Sequence, residues 1–171
     1  MATLHHNISG ELTQELLAPG NNVKLSKISL TNVQKVSKCK VDLYINRVSG
    51  GDYGKFYLLK GVELPIGATL IYDDIKFNNA VYGLYIKLTD GETFTLTGSI
   101  DPTASTTVTG VSTLFLSEVS IGDEILVSSE TRTVSAIASN TSLTVSVATT
   151  NTANDTTPDC NPTALVDVII N

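Results

Sequence analysis

Few residues in this chain could carry acid–base or metal chemistry. Its only histidines, His5 and His6, are adjacent near the start. Two imidazoles bind a transition metal well only when cysteines or carboxylates complete the set, and no such cluster stands near them. A general base also needs a fixed position on a scaffold, and this terminal segment is expected to be mobile. Both are read as exposed polar residues. Cys39 lies between Lys38 and Lys40. Nearby ammonium groups could lower its pKa and make it nucleophilic. With no histidine near in sequence, a half-buried strand cysteine is the better reading.

Two acidic pairs, Asp73-Asp74 and Asp123-Glu124, could ligate Ca²⁺ or act as the two carboxylates of a glycosidase. Each lies at a turn, where acidic side chains are common because they hydrogen-bond the local backbone. The absence of Trp weakens the sugar reading further. Tyr44, Tyr53, Tyr57, Tyr72, Tyr82 and Tyr85 gather in the first half. On a sheet face they could bind carbohydrate or a protein partner; packing at the core edge is the plainer alternative. No phosphate-binding glycine loop, nucleophile elbow or zinc-finger spacing appears. No catalytic, cofactor-binding or metal-ligating residue is assigned, and partner-binding residues stay unassigned.

The elements that would position these residues read as strands. Val41, Leu43 and Ile45 alternate with Asp42 and Tyr44, and Ile28 and Leu30 flank Ser29, the period of half-buried strands. Gly50-Gly51-Asp52 and Leu64-Pro65-Ile66-Gly67 read as turns between strands. Leu12, Leu16 and Leu17 allow one helical turn or a strand; a strand or arm ending at Pro19-Gly20-Asn21-Asn22 is the reading adopted. Further on, Arg132 to Ile137 and Ser142 to Val147 predict a hairpin around Ser139-Asn140-Thr141. Thr149 to Asp159 reads as an exposed linker. The β-branched stretch Ala164 to Ile170 predicts a last strand, with Gly83 to Thr89 as its natural partner.

Charge divides the chain. Residues 1–92 carry ten basic and nine acidic side chains; residues 93–162 carry one basic and seven acidic. Such a break marks a domain boundary. The expected organisation is a β-sandwich of jelly-roll type from residues 1–92 and 163–171. Residues 93–162 form an inserted Thr/Ser-rich acidic module, a small β-barrel or sandwich of about five short strands. Insertion into a loop is tolerated because closure cost grows only logarithmically with length. The class is all-β.

The net charge of −6 argues against a nucleic-acid partner, since phosphate binding needs clustered cations. No apolar run is long enough to span a bilayer, and Met1 to Ser9 lacks the apolar core of a secretion signal. Cys39 and Cys160, far apart in sequence, are read as free thiols.

Three stretches together carry a resemblance: Ile28-Ser29-Leu30-Thr31-Asn32, Val41-Asp42-Leu43-Tyr44-Ile45, and Tyr57-Leu58-Leu59-Lys60 with Leu64-Pro65-Ile66-Gly67-Ala68 and the closing Val166-Asp167-Val168-Ile169. They resemble small virion structural proteins of tailed bacteriophages, particularly of cyanobacterial myoviruses. The inserted stretch is similar to a module that recurs in phage tail and particle proteins, on Thr106-Thr107-Val108-Thr109-Gly110, Phe115, Gly122-Asp123-Glu124-Ile125, Ser129-Glu130-Thr131-Arg132-Thr133-Val134 and Thr141-Ser142-Leu143-Thr144-Val145.

The resemblance implies a virion component without enzyme activity or cofactor: a capsid decoration protein, or a neck or tail accessory. Its partners would be copies of itself, as a homo-oligomer, and other virion proteins such as the major capsid protein. The near-neutral domain would dock and the acidic module would be displayed. A receptor- or carbohydrate-binding adhesin is the alternative, and a depolymerase a distant third.

Overall fold

The computed structural model describes residues 3–47, 54–73 and 75–171. Strand accounts for 52% of the chain and helix for 2%, so the protein is all-β, as the alternation predicts. The chain divides into two compact units. Unit 1 comprises Met1–Val33, Lys38–Asp90 and Ala164–Asn171; unit 2 comprises Gln34–Ser37 and Gly91–Thr163. The short segment Gln34–Ser37 carries no compositional mark of its membership in unit 2.

Unit 1 is built from β1 (Leu4–Ser9), β2 (Gln14–Leu17), β3 (Lys27–Asn32), β4 (Cys39–Asn46), β5 (Phe56–Leu64), β6 (Thr69–Asp73), β7 (Gly83–Thr89) and β15 (Leu165–Ile170), the last following the strands of unit 2 in the chain. Two four-stranded sheets result, ordered β1-β15-β3-β6 and β2-β7-β4-β5, with every neighbour antiparallel. The pairings are nested: β4 with β5, β3 with β6, β2 with β7, β1 with β15. Successive rungs of this double ribbon fall alternately into the two sheets.

Side-chain alternation then decides the core. Ile8, Ile28, Leu30, Val166, Val168 and Ile170 point inward from one sheet. Leu16, Val41, Leu43, Leu84, Ile86 and Leu88 meet them from the other. Burying each such side chain contributes about 1.5–3 kcal/mol before chain entropy is subtracted.

Two expectations for unit 1 need correction. The last strand, β15, does not pair with β7; it lies between β1 and β3, while β7 lies between β2 and β4. The Ala164 N–H does donate to Asp90 Oδ1 at 2.6 Å, so the two strands meet end to end. They then part into different sheets. β7 is buried on both faces over most of its length, whereas β15 alternates buried and exposed. The second correction concerns His5 and His6. They belong to β1, in register with Ile169 and Val168, and not to a loose terminus. Adjacent strand residues face opposite ways, so the pair cannot chelate one ion. His5 is exposed; His6 is half-buried, and its Nε2 has no hydrogen-bond partner. The turn expected at Gly50-Gly51-Asp52 lies outside the described residues.

The outer strand β5 is irregular. Lys60 and Gly61 together oppose Asp42, a two-against-one bulge. Gly61 takes φ +59°, and its N–H donates to Asp42 Oδ1 at 2.7 Å. Lys60 closes on the other oxygen of the same carboxylate at 2.5 Å. Such bulges and charges keep an edge strand from pairing with foreign strands.

Unit 2 contains β8 (Phe94–Thr95), β9 (Ser99–Pro102), β10 (Thr107–Val111), α1 (Phe115–Glu118), β11 (Glu124–Val127), β12 (Glu130–Ser139), β13 (Ser142–Val145) and β14 (Asp159–Asn161). Its seven strands, two more than expected, run in the order β8-β14-β11-β12-β13-β10-β9. A bridge between Ile100 and Asp155 links the β9 end back to the segment that leads into β14, so the sheet curls around its own core. That core centres on Phe115, Val119, Ile125, Val134, Leu143 and Cys160. The predicted hairpin is β12–β13, with Asn140-Thr141 as its turn. Asn140 also holds α1: its Oδ1 accepts the Leu116 N–H at 3.1 Å and its carbonyl accepts the Thr113 hydroxyl at 2.6 Å.

The stretch from Thr149 to Asp159 is largely exposed but is not a loose linker. The Glu130 carboxylate accepts the Thr150 N–H at 2.8 Å, the Thr150 hydroxyl and the Asn151 N–H at 3.2 Å. These bonds hold the Glu130 carboxyl below its ordinary pKa, with the Thr150 hydroxyl the largest cause. Asp155 accepts the N–H groups of Ser128 and Thr157.

A buried carboxylate organises the other end of unit 2. Asp123, 1% exposed, accepts N–H groups from Ser120 at 2.7 Å and Thr163 at 3.0 Å, and the Gln34 amide at 2.8 Å. The Cys160 thiol lies 3.9 Å away. Gln34 in turn accepts the Ser120 hydroxyl at 2.9 Å and donates to the Thr163 carbonyl at 3.1 Å. Burial pushes the Asp123 carboxyl above its ordinary pKa, and the hydrogen bonds pull against that. A carboxyl whose folded pKa is raised contributes less stability as pH climbs through that value.

Replacing Gln34 by Ala removes one donor and raises the Asp123 pKa further. Urea unfolding at pH 7, followed by circular dichroism, should show a loss of about 1–3 kcal/mol. The deficit should shrink as pH falls and the carboxyl takes up a proton.

Candidate interaction surface

The residues singled out for chemistry do not converge. Cys39 is 2% exposed on β4, and its thiol is pushed up to about 11, first by burial and then by Asp90. Cys160 is raised to about 12, again chiefly by burial, then by Asp123. Both thiols are free and neutral at physiological pH. Asp123 and Glu124 diverge: the first is buried and the second exposed, as strand alternation requires. Asp73 faces Lys27 across β3–β6, and Asp74 lies outside the described residues, as does Tyr53. Among the described residues no three His, Cys, Asp or Glu side chains stand close enough to hold a metal ion. No helix among them is long and apolar enough to cross a membrane.

The tyrosines do converge, and the strand pattern explains how. With Val41 and Leu43 turned to the core, Asp42 and Tyr44 face outward from β4. With Leu84, Ile86 and Leu88 turned inward, Tyr85 and Lys87 face outward from β7. Register places Tyr44 opposite both Tyr85 and Tyr57, and Tyr85 opposite Glu15. One row, Glu15–Tyr85–Tyr44–Tyr57, thus crosses all four strands of the sheet.

The Tyr44 and Tyr85 rings stack at 5.8 Å with an interplanar angle of 22°, and Tyr44 meets Tyr57 at 5.5 Å with 53°. Offset and tilted ring pairs at these distances are attractive because ring edges and faces carry opposite partial charge. The Tyr85 hydroxyl donates to Glu15 Oε2 at 3.0 Å, and the Tyr44 hydroxyl to Thr13 Oγ1 at 3.4 Å. Burial, then the bond to Glu15, pushes the Tyr85 hydroxyl up to about 12. Gly83 leaves room for it, since a Cβ there would approach the Tyr85 oxygen to 2.8 Å.

Cations cover the row. Lys55 Nζ lies 5.2 Å from the Tyr44 ring centre and Lys60 Nζ 4.5 Å from that of Tyr57. Its hydrogen bond to Asp42 is the main cause that raises the Lys60 pKa. At the end of the sheet Arg47 sits over Tyr82, which meets Phe56 edge-on at 5.9 Å. Tyr44 and Tyr85 are nearly sealed, at 4% and 2% exposure, while Tyr57 remains 45% exposed. Tyr72 packs against the unit 1 core. The row therefore combines both sequence readings: two tyrosines are packing, and the third is a presented aromatic surface. The density of tyrosine was visible in the sequence, but the register that aligns them was not.

Unit 1 also has an open groove of about 870 Å³ lined by Leu25, Ile75 and Phe77 with Lys24 and Lys76. Unit 2 has a polar one of about 500 Å³ lined by Ser128, Asn151, Asp155 and Asp159. No family model, curated protein or solved structure matches the chain.

Tyr44 and Tyr57 should be energetically coupled. A double-mutant cycle to Leu, read by urea unfolding, is expected to give about 0.5–1.5 kcal/mol of interaction. A value near zero would mean that the rings only lie side by side.

Proposed function

We propose that this chain is a non-enzymatic structural component of a tailed-phage virion, which attaches through unit 1 and presents unit 2. Its nested eight-strand order fits the jelly roll expected from the sequence. The observation that carries the reading is the separation of surface chemistry between two units spliced into one chain. Unit 1 carries a rigid, cation-covered aromatic row suited to protein contact. Unit 2 is acidic and hydroxyl-rich, and its one arginine, Arg132, is tied to Glu130 at 2.9 Å and to the Ala148 carbonyl at 3.1 Å. Net negative charge on a displayed module helps particles repel one another.

A capsid decoration protein is favoured over a neck or tail accessory, because a compact body with one displayed module fits a repeated lattice site. The adhesin alternative would place binding on unit 2. Its aromatics give that little support: Phe115 is buried and Phe94 packs against the core. Jelly-roll attachment and display need no cofactor and no nucleic-acid contact.

Gold-labelled antibody against residues 97–160 should decorate intact particles regularly over the head. Label confined to the neck, tail or fibres would move the protein there. Absence of label from particles that contain the chain by mass spectrometry would refute the display of unit 2.

A further inference from the structure

The outer face of β2-β7-β4-β5 has a counterpart elsewhere in the same chain. On that face Lys38, Lys40, Lys55, Lys60 and Lys87 outnumber Glu15, Asp42 and Glu63, and Tyr57, on the edge strand β5, is an exposed aromatic ring. On unit 2, Ile125, Val127, Val134 and Cys160 are turned to the core. Glu124, Leu126, Asp159, Asn161, Thr131 and Thr133 therefore face outward from β14, β11 and β12. This second face carries two carboxylates and no cation. Leu126 at its centre is 42% exposed. A shallow recess of about 170 Å³ opens there, lined by Glu124, Leu126, Thr131 and Asp159.

We propose that these two faces bind each other between copies: unit 1 of one molecule receives unit 2 of the next. Lys60 reaches the Glu124–Asp159 recess, and Tyr57 packs on Leu126. An exposed aromatic ring on a mostly basic face meets an exposed apolar side chain flanked by carboxylates, a complementarity that sets orientation and speeds encounter. The contact is heterologous, so copies join head to tail and either close into a ring or extend as a chain. The inference rests on the assembly reading above, yet it can fail while that reading stands.

Sedimentation velocity of the full-length protein tests it. The wild-type chain should self-associate at low salt and dissociate as salt is raised. Lys60→Glu and Glu124→Lys, each folded by circular dichroism, should each weaken association about tenfold or more. Mixing the two variants should restore association, because each still carries the intact partner of the other's intact face; a symmetric face-to-face dimer would not be rescued in this way. Glu124 is exposed, so its variant answers the question even if Lys60→Glu disturbs Asp42. A wild-type chain that stays monomeric at low salt would overturn the proposal, as would variants that associate like wild type or a mixture that fails to recover. Label on the particles would then still support the virion reading, with attachment to a different protein.

Discussion

The Asp123 carboxylate is the constraint on which unit 2 turns. An unpaired carboxylate in a protein interior is costly, and no cation among the described residues forms a salt bridge with this one. It is held by donors from well-separated parts of the chain: the Ser120 turn, the Thr163 exit and Gln34. Each donor fixes a different path. The Ser120–Asp123 turn starts β11, Thr163 leads out toward the last strand, and Gln34 brings in a segment that follows β3. A water-accessible acid would tolerate any of these paths wandering; a buried one does not. The same group that destabilises by desolvation therefore specifies where the chain must pass.

A second economy lies in unit 1. The nested pairing sets β1 beside β15, strands far apart in the sequence. Asp90 and Ala164, at the two ends of the intervening segment, touch through one hydrogen bond, and closure cost grows only slowly with the length of such a segment. The sheet that carries the tyrosine row is the one that lacks the terminal strand. Its outer surface is stiffened by ring stacking and by the Asp42 bulge, and a stiff surface loses little entropy when a partner covers it.

Local patterns were legible and long-range choices were not. Val41, Leu43 and Ile45 announce a strand, and Asn140-Thr141 announces a hairpin turn, because period and turn chemistry are properties of neighbours. The charge change near Thr93 lies close to where the chain passes into unit 2. The partner of the last strand is not legible, because adjacency around an inserted segment says only that two strand ends meet, not that the strands pair. His5 and His6 read as a loose end because β1 has three consecutive polar residues, His5, His6 and Asn7, between Leu4 and Ile8 and so little amphipathic contrast. Gln34 gave no warning: its role exists only against Asp123, distant in sequence. The tyrosines are plain in the sequence, but only the register divides them into sealed Tyr44 and Tyr85 and exposed Tyr57.

The two units share a chain but divide the surface chemistry, and the proposed attachment through unit 1 and display of unit 2 rest on that division. Hydroxyl-radical footprinting of intact particles, compared with the free protein, tests it most directly. The account predicts that Tyr57 and Leu126 become protected in the particle while Leu116 and Val147 of unit 2, 54% and 62% exposed in the chain, stay as reactive as before. Protection of Leu116 and Val147 with Tyr57 left open would reverse the roles of the two units and contradict it.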